Sequence, residues 1–259
     1  MFREVRFEVL GPVRGWHGSS ELELGSPQQR AVLAMLLFAR GRQVSLDDLI
    51  GGLWGERPPE SAEETVRTYI ERLRRCVDVQ AAGEAGPLVE SVGDGYVLPG
   101  PVAIDLDRFE RRLRDARVAR LRDDNADRAR LLRDALGVWR GVPLDGIPGP
   151  YADACRVPLT EMRMAATEEK LALDILLGDF AGAIAELRDL LVKYPFRQGL
   201  GELLVVALDK SGRQADAVEV FGSVRQGLGD ALGIDPGLSL QTMRQHVSRA
   251  DHRLLEQVG

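Results

Sequence analysis

Between Ser61 and Val77 the apolar positions recur with the period of an α-helix. Val66, Ile70, Leu73 and Val77 fall at i, i+4, i+7 and i+11, a single stripe of a 3.6-residue turn. Advancing by about 100° per residue puts Thr68, Glu71, Arg72 and Arg75 on the opposite, solvated face. Arg67 and Arg74 flank the stripe. Part of this pattern is what any surface helix shows: Ser61 and Glu64 stand at capping-box spacing, and acids at Glu60, Glu63 and Glu64 with arginines at the far end suit the helix dipole.

Two further helices are expected upstream. Ser26-Pro27-Gln28-Gln29 supplies a cap and a proline at the first helical position, Ala31 to Phe38 run apolar, and Gly41 stops the element. Ser45 with Asp48 opens a second helix through Leu46, Leu49, Ile50 and Leu53, closing at Trp54-Gly55. The loop Glu56-Arg57-Pro58-Pro59 cannot continue a helix, so it delivers the chain to the third. Val5 to Leu10 alternates like a half-buried strand, and Leu22-Glu23-Leu24 reads as a shorter one. Leu88 to Val92, the turn Gly93-Asp94-Gly95 and Tyr96 to Leu98 read as a hairpin. Strands, three helices and a hairpin within the first hundred residues make the plan of a winged helix-turn-helix, whose third helix enters the DNA major groove.

From the Gly100-Pro101 break onward the chain is rich in Leu, Ala and Arg, with helical periodicity. Gly178-Asp179-Phe180-Ala181-Gly182-Ala183-Ile184 maps onto Gly212-Arg213-Gln214-Ala215-Asp216-Ala217-Val218 at a shift of 34 residues, the tetratricopeptide period. The segments before each glycine, Leu171 to Leu177 and Leu203 to Leu208, supply the first helix of each pair. Asp105 to Arg122 and Ala126 to Trp139 are expected to form an earlier, more divergent pair. The predicted class is mainly α with a small β component: a winged helix over 1–100, expected to fold alone, then an all-α tetratricopeptide-like domain over 101–259. Such stacks present concave protein-binding surfaces, although a plain helical bundle would share the pattern.

Composition narrows the function classes. The 259 residues carry a net charge of −6, and residues 1–100 hold 11 Lys and Arg against 15 Asp and Glu. Attraction to phosphate therefore needs a local patch: Arg67, Arg72, Arg74 and Arg75, joined by Arg30, Arg40 and Arg42. Weak non-specific affinity is expected, with two copies or a partner needed for useful binding. There is no signal peptide or membrane-length apolar run, and Cys76 and Cys155 lack metal or redox spacing. A cytoplasmic protein with reduced thiols is expected. His17, His246 and His252 are scattered and no catalytic constellation stands out. No enzyme activity, metal, cofactor or membrane association is expected. Without a receiver domain before Met1 or a phosphate-binding loop, control by phosphorylation or ATP within this chain is not expected either.

Several linked motifs carry a family resemblance. Leu24-Gly25 with Gln28-Gln29-Arg30, Leu53-Trp54-Gly55-Glu56 with Pro58-Pro59, Thr68-Tyr69, Arg72-Leu73-Arg74-Arg75 and Gly95-Tyr96 resemble the Streptomyces antibiotic regulatory protein (SARP) family. Its DNA-binding half is similar to the winged-helix output domain of OmpR/PhoB-type regulators. The second half, including Gly233-Ile234-Asp235-Pro236 and Leu238, resembles its bacterial transcriptional activator domain. The resemblance implies a transcription activator of a biosynthetic gene cluster. It further implies binding to double-stranded promoter DNA as a homodimer on direct repeats, and contact with RNA polymerase including its sigma factor.

Candidate roles follow. Arg72 lies mid-face and matches the family's base-reading arginine, while Thr65, Thr68, Tyr69, Arg74 and Arg75 are placed to position phosphates, with Arg67 in the same patch. Trp54 lies against the DNA backbone or in the core, and Tyr96 packs under the wing. Glu56, Arg57, Pro58 and Pro59 occupy the family's transactivation loop. Where wing tips often carry a basic residue, Val92-Gly93-Asp94 has none, so no minor-groove contact is expected. A repressor with the same binding mode and a tetratricopeptide adaptor remain the alternatives.

Overall fold

The computed structural model describes residues 5–78, 87–100 and 102–232. The C-terminal motif from Gly233 to Leu238 and His246 and His252 lie outside them, as does the side chain of Val77. The described residues form two compact units, one running from residue 5 to Asp115 with Asp134–Met164, the other Ala116–Arg133 with the residues from Ala165 to Leu232.

In the first unit, three strands precede the helices and a fourth from after them completes one sheet. Strand β1 (Val5–Glu8) pairs antiparallel with β2 (Arg14–His17), and β2 with β3 (Ser20–Glu21). On its other side β1 runs parallel to β7 (Ala103–Ile104). Sequence periodicity missed β2, because the inward position opposite Phe7 is Gly15, where a Cβ would fall 2.6 Å from the Phe7 ring. The aromatic ring occupies the space that an apolar side chain would otherwise have announced. Leu22 and Leu24 are buried as expected, but they lie past the end of β3.

Helices α1 (Pro27–Ala39), α2 (Leu46–Trp54) and α3 (Ala62–Asp78) follow at the expected places. The Ser26 hydroxyl caps α1 by accepting from Gln29 N at 3.2 Å, and the Ser45 hydroxyl caps α2 from Asp48 N at 3.0 Å. Helix α1 is buried nearly all round from Ala31 to Leu37, so α2 and α3 both pack on it. The α3 stripe closes this core, with Val66, Ile70 and Leu73 all buried.

The hairpin forms as β5 (Glu90–Val92) and β6 (Gly95–Val97), in a register that leaves Gly93-Asp94 as a two-residue turn. A two-residue strand, β4 (Val44–Ser45), pairs with β6 and completes a three-stranded wing sheet. At Gly95 a Cβ would lie 2.3 Å from the Val44 carbonyl oxygen, so only glycine lets β4 approach.

The first unit does not end at residue 100. Asp105, the first residue of α4 (Asp105–Arg120), accepts from Val9 N and Leu10 N at 3.0 Å and from Leu106 N at 2.8 Å. After α5 (Asn125–Leu136), a strap over 140–149 zips onto the end of β1. Arg140 N donates to Leu10 O at 2.9 Å and Leu144 N to Val9 O at 3.0 Å. Phe109 and Trp139 meet edge-to-face at 5.3 Å, both buried. The strap then meets α2: a Cβ on Gly149, at φ +106°, would sit 2.8 Å from the Gly52 carbonyl oxygen.

In the second unit the 34-residue repeat is visible bond for bond. Helix α6 (Pro150–Leu176) ends at Gly178, α8 (Gln198–Lys210) at Gly212, and both glycines take positive φ. Asp179 N donates to Asp174 O at 2.9 Å and Arg213 N to Leu208 O at 2.9 Å, before α7 (Phe180–Lys193) and α9 (Gln214–Leu232) begin. The turn between α4 and α5 repeats the bond, Asp124 N to Ala119 O at 3.2 Å, with Asp123 at φ +54° in the glycine's place. That substitution explains why this pair looked divergent. Ala183 and Ala217 are buried at the helix contacts, whereas Ala181 and Ala215 are exposed and allow no close approach.

Candidate nucleic-acid interface

Because the apolar stripe of α3 faces the core, the opposite side of the helix faces solvent. Arg67, Thr68, Glu71, Arg72 and Arg75 are exposed there, and Thr65 is half-buried. The guanidinium groups of Arg72 and Arg75 make no hydrogen bond or ion pair among the described residues. They stand three residues apart, neighbours on one helical face. Arg67 makes only a loose pair with Glu63 at 3.7 Å, and the Thr68 hydroxyl donates to Glu64 O at 2.9 Å.

Other residues singled out from the sequence have internal work. Tyr69 is half-buried, and its hydroxyl donates to Gln28 Oε1 at 2.7 Å, bracing α3 on the first turn of α1. The Arg74 guanidinium donates to Val89 O at 2.8 Å, to Ser91 Oγ at 2.9 Å and to Glu71 Oε1 at 2.6 Å. Arg40, counted as a possible member of the basic patch, is tied to Glu110 at 2.7 Å and Asp107 at 3.1 Å. Arg30 and Arg42 each donate to a backbone carbonyl, Gly25 O and Ala39 O respectively. The cationic surface around α3 is therefore smaller than the arginine count suggests. Nothing local in the sequence signals Gln28, Ser91 or Glu110 as partners, because they lie far along the chain from the residues they hold.

Trp54 is half-buried at the end of α2, and Tyr96 is buried beneath the wing. At the wing tip, Asp94 Oδ1 accepts from Gln43 Nε2 at 3.0 Å, and its carbonyl accepts from Leu46 N at 3.2 Å. The aspartate thus ties the wing to the start of α2. Glu56, Arg57, Pro58 and Pro59 are all exposed between α2 and α3. Cys76 donates its thiol to Glu23 O at 2.8 Å, and burial pushes both cysteine thiols up from their ordinary pKa. Among the described residues no cluster of His, Cys, Asp or Glu could hold a metal, and no helix is long and apolar enough to cross a membrane.

This fold and site define a winged-helix transcriptional regulator carrying a helical-repeat domain. Sequence comparison agrees. A family model described as "Transcriptional regulatory protein, C terminal" matches residues 20–98, and the bacterial transcriptional activator domain matches residues 104–248. The chain is 44% identical over 254 residues to the regulatory protein AfsR of Streptomyces coelicolor, covering 97% of this chain and 25% of AfsR. It is 34% identical over 250 residues to the transcriptional regulator RedD of the same species, covering 95% of this chain and 71% of RedD. A solved structure of Mycobacterium tuberculosis EmbR in complex with a low-affinity phosphopeptide superposes with a TM-score of 0.89 at 31% identity. That match covers 96% of this chain and 66% of EmbR. The chain belongs to the Streptomyces antibiotic regulatory protein family of transcriptional activators, which is not an enzyme family. It spans only a quarter of the length of AfsR, from S. coelicolor or from Streptomyces griseus.

Proposed function

We propose that this protein is a cytoplasmic, sequence-specific DNA-binding activator of a secondary-metabolite gene cluster. In this reading α3 lies in the major groove of promoter DNA and two copies occupy direct repeats. The observation that carries it is the pair Arg72 and Arg75, whose guanidiniums have no partner among the described residues, on the exposed face of a helix whose other face is locked into the core. Arg72, mid-face, forks onto a base edge, since a planar bidentate donor matches guanine. Arg75, Arg67, Thr65 and Thr68 take phosphates, and Trp54 lies against the DNA backbone. The acidic chain gives little sequence-independent attraction, so pairing on repeated sites supplies the missing affinity. Footprinting of the purified protein on DNA from its own genomic neighbourhood tests this: protected direct repeats support it, and no protection at any fragment refutes it.

The exposed Glu56 to Pro59 loop is the proposed contact with RNA polymerase and its sigma factor. Two prolines stiffen it, so little conformational entropy is lost when a partner binds. Changing Glu56 and Arg57 together to Ala is expected to leave promoter binding within about 0.5 kcal/mol, as for surface substitutions outside an interface. The same change lowers transcription from a reconstituted promoter. A mobility shift and in vitro transcription on one preparation check both halves; full transcription with intact binding means the loop is passive.

A further inference from the structure

Arg74 shares the cationic helix with Arg72 and Arg75 but not their freedom. Its side chain is 21% exposed, against 61% for Arg67 on the same helix. All three of its guanidinium nitrogens are used: Nε on the Val89 carbonyl, Nη2 on the Ser91 hydroxyl and Nη1 on the Glu71 carboxylate. Val89 is fully buried and lies one residue before the paired register of β5 begins, so its carbonyl finds no partner in the strand ladder. Ser91 lies within that register, opposite Tyr96. One rigid fork thus joins the penultimate turn of α3 to the entrance and the middle of the wing strand.

We propose that Arg74 is a positioning residue that locks the wing to α3, so that helix and wing meet DNA as one body, and that it neutralises no phosphate itself. The proposal rests on the reading of α3 as the DNA-reading helix. Three of the five N–H donors of Arg74 are spent on these partners, and a phosphate could draw the fork away only by breaking charge-assisted bonds and leaving the buried Val89 carbonyl orphaned. The neighbouring Arg72 and Arg75 carry no such penalty.

A phosphate contact and a strut respond differently to lysine. Lysine satisfies a phosphate as a point charge, but its single ammonium cannot span Val89 O, Ser91 Oγ and Glu71 as the planar fork does. Arg74→Lys, Arg74→Gln and Ser91→Ala in the full chain are compared with wild type by DNA titration at several salt concentrations. Amide hydrogen exchange of residues 89–97, measured without DNA, is the second readout. The expected result is an affinity loss of about tenfold for both Arg74 variants, as one lost charge-assisted bond implies. Their salt slopes stay at the wild-type value, and wing exchange accelerates in all three variants, least in Ser91→Ala. An Arg74→Lys protein that binds like wild type, beside an Arg74→Gln protein whose salt slope flattens by about one unit, would overturn the proposal in favour of a phosphate contact. Unchanged wing exchange in Arg74→Lys would overturn it as well. If wild type binds no DNA, the reading of α3 fails, while the exchange measurement still decides whether the strut exists.

Discussion

A fragment ending at Gly100 is expected to show no cooperative unfolding transition, whereas one ending at Met164 unfolds cooperatively. The shorter fragment lacks β7, the Asp105 carboxylate and the strap that meets Val9 and Leu10, both of which are completely buried. It also loses Phe109, Trp139, Leu144 and Ile147 from the core. Each such side chain contributes roughly 1.5–3 kcal/mol on burial. Together they rival the typical 5–15 kcal/mol of a whole domain. Thermal and urea unfolding followed by circular dichroism on both fragments checks this. A sharp transition for residues 1–100 would restore the simpler division, in which the boundary between the two matched families, near residue 100, is also the folding boundary.

Replacing Asp105 by Ala is expected to destabilise the first unit by about 3 kcal/mol or more. It removes the partners that the N–H groups of Val9, Leu10 and Leu106 have among the described residues, and a buried orphaned donor costs about 1–3 kcal/mol. The wild-type carboxyl also confers a pH dependence. Burial pushes it up to about 6, further than the three N–H donors pull it down, and the nearby Glu8 charge adds to the rise. A raised acid holds its proton in the folded state where the unfolded chain has lost it. Its contribution is therefore complete below pH 4 and is lost as pH climbs through 6, by up to about 3 kcal/mol. Asp105→Asn should flatten that slope while keeping one acceptor oxygen. The check is urea unfolding of wild type and Asp105→Asn at several pH values between 4 and 7.5. A wild-type minus variant difference that does not change with pH would show that Asp105 titrates at its ordinary value.

What was legible in the sequence had local causes. The caps at Ser26 and Ser45, the α3 stripe from Val66 to Leu73, the hairpin turn and the glycine-marked repeat each depend on neighbours within a few residues, and each formed, the turn as Gly93-Asp94 with Gly95 drawn into β6. Long-range pairing was not legible. Strand β2 hid because Phe7 fills the space over Gly15, and β4 because two residues carry no periodicity. The same limit applied at the candidate site. The exposure of Arg72 and Arg75 follows from the helix period alone. The commitments of Arg40 to Glu110, 70 positions away, and of Arg74 to Val89 and Ser91 follow only from the fold. Counting arginines therefore overstates the number of guanidiniums left without internal partners among the described residues.

The central claim is that the free face of α3 reads sequence through Arg72 and holds phosphate through Arg75. Its most direct test is a mobility shift with wild type, Arg72→Ala and Arg75→Ala, on the footprinted repeat and on random DNA, across a range of salt. Arg72→Ala is expected to cost about 1–3 kcal/mol on the repeat, relax preference at one base pair and leave random DNA nearly unaffected. Arg75→Ala should weaken both DNAs alike and flatten the salt slope by about one unit. Equal losses on repeat and random DNA for both variants would contradict the account.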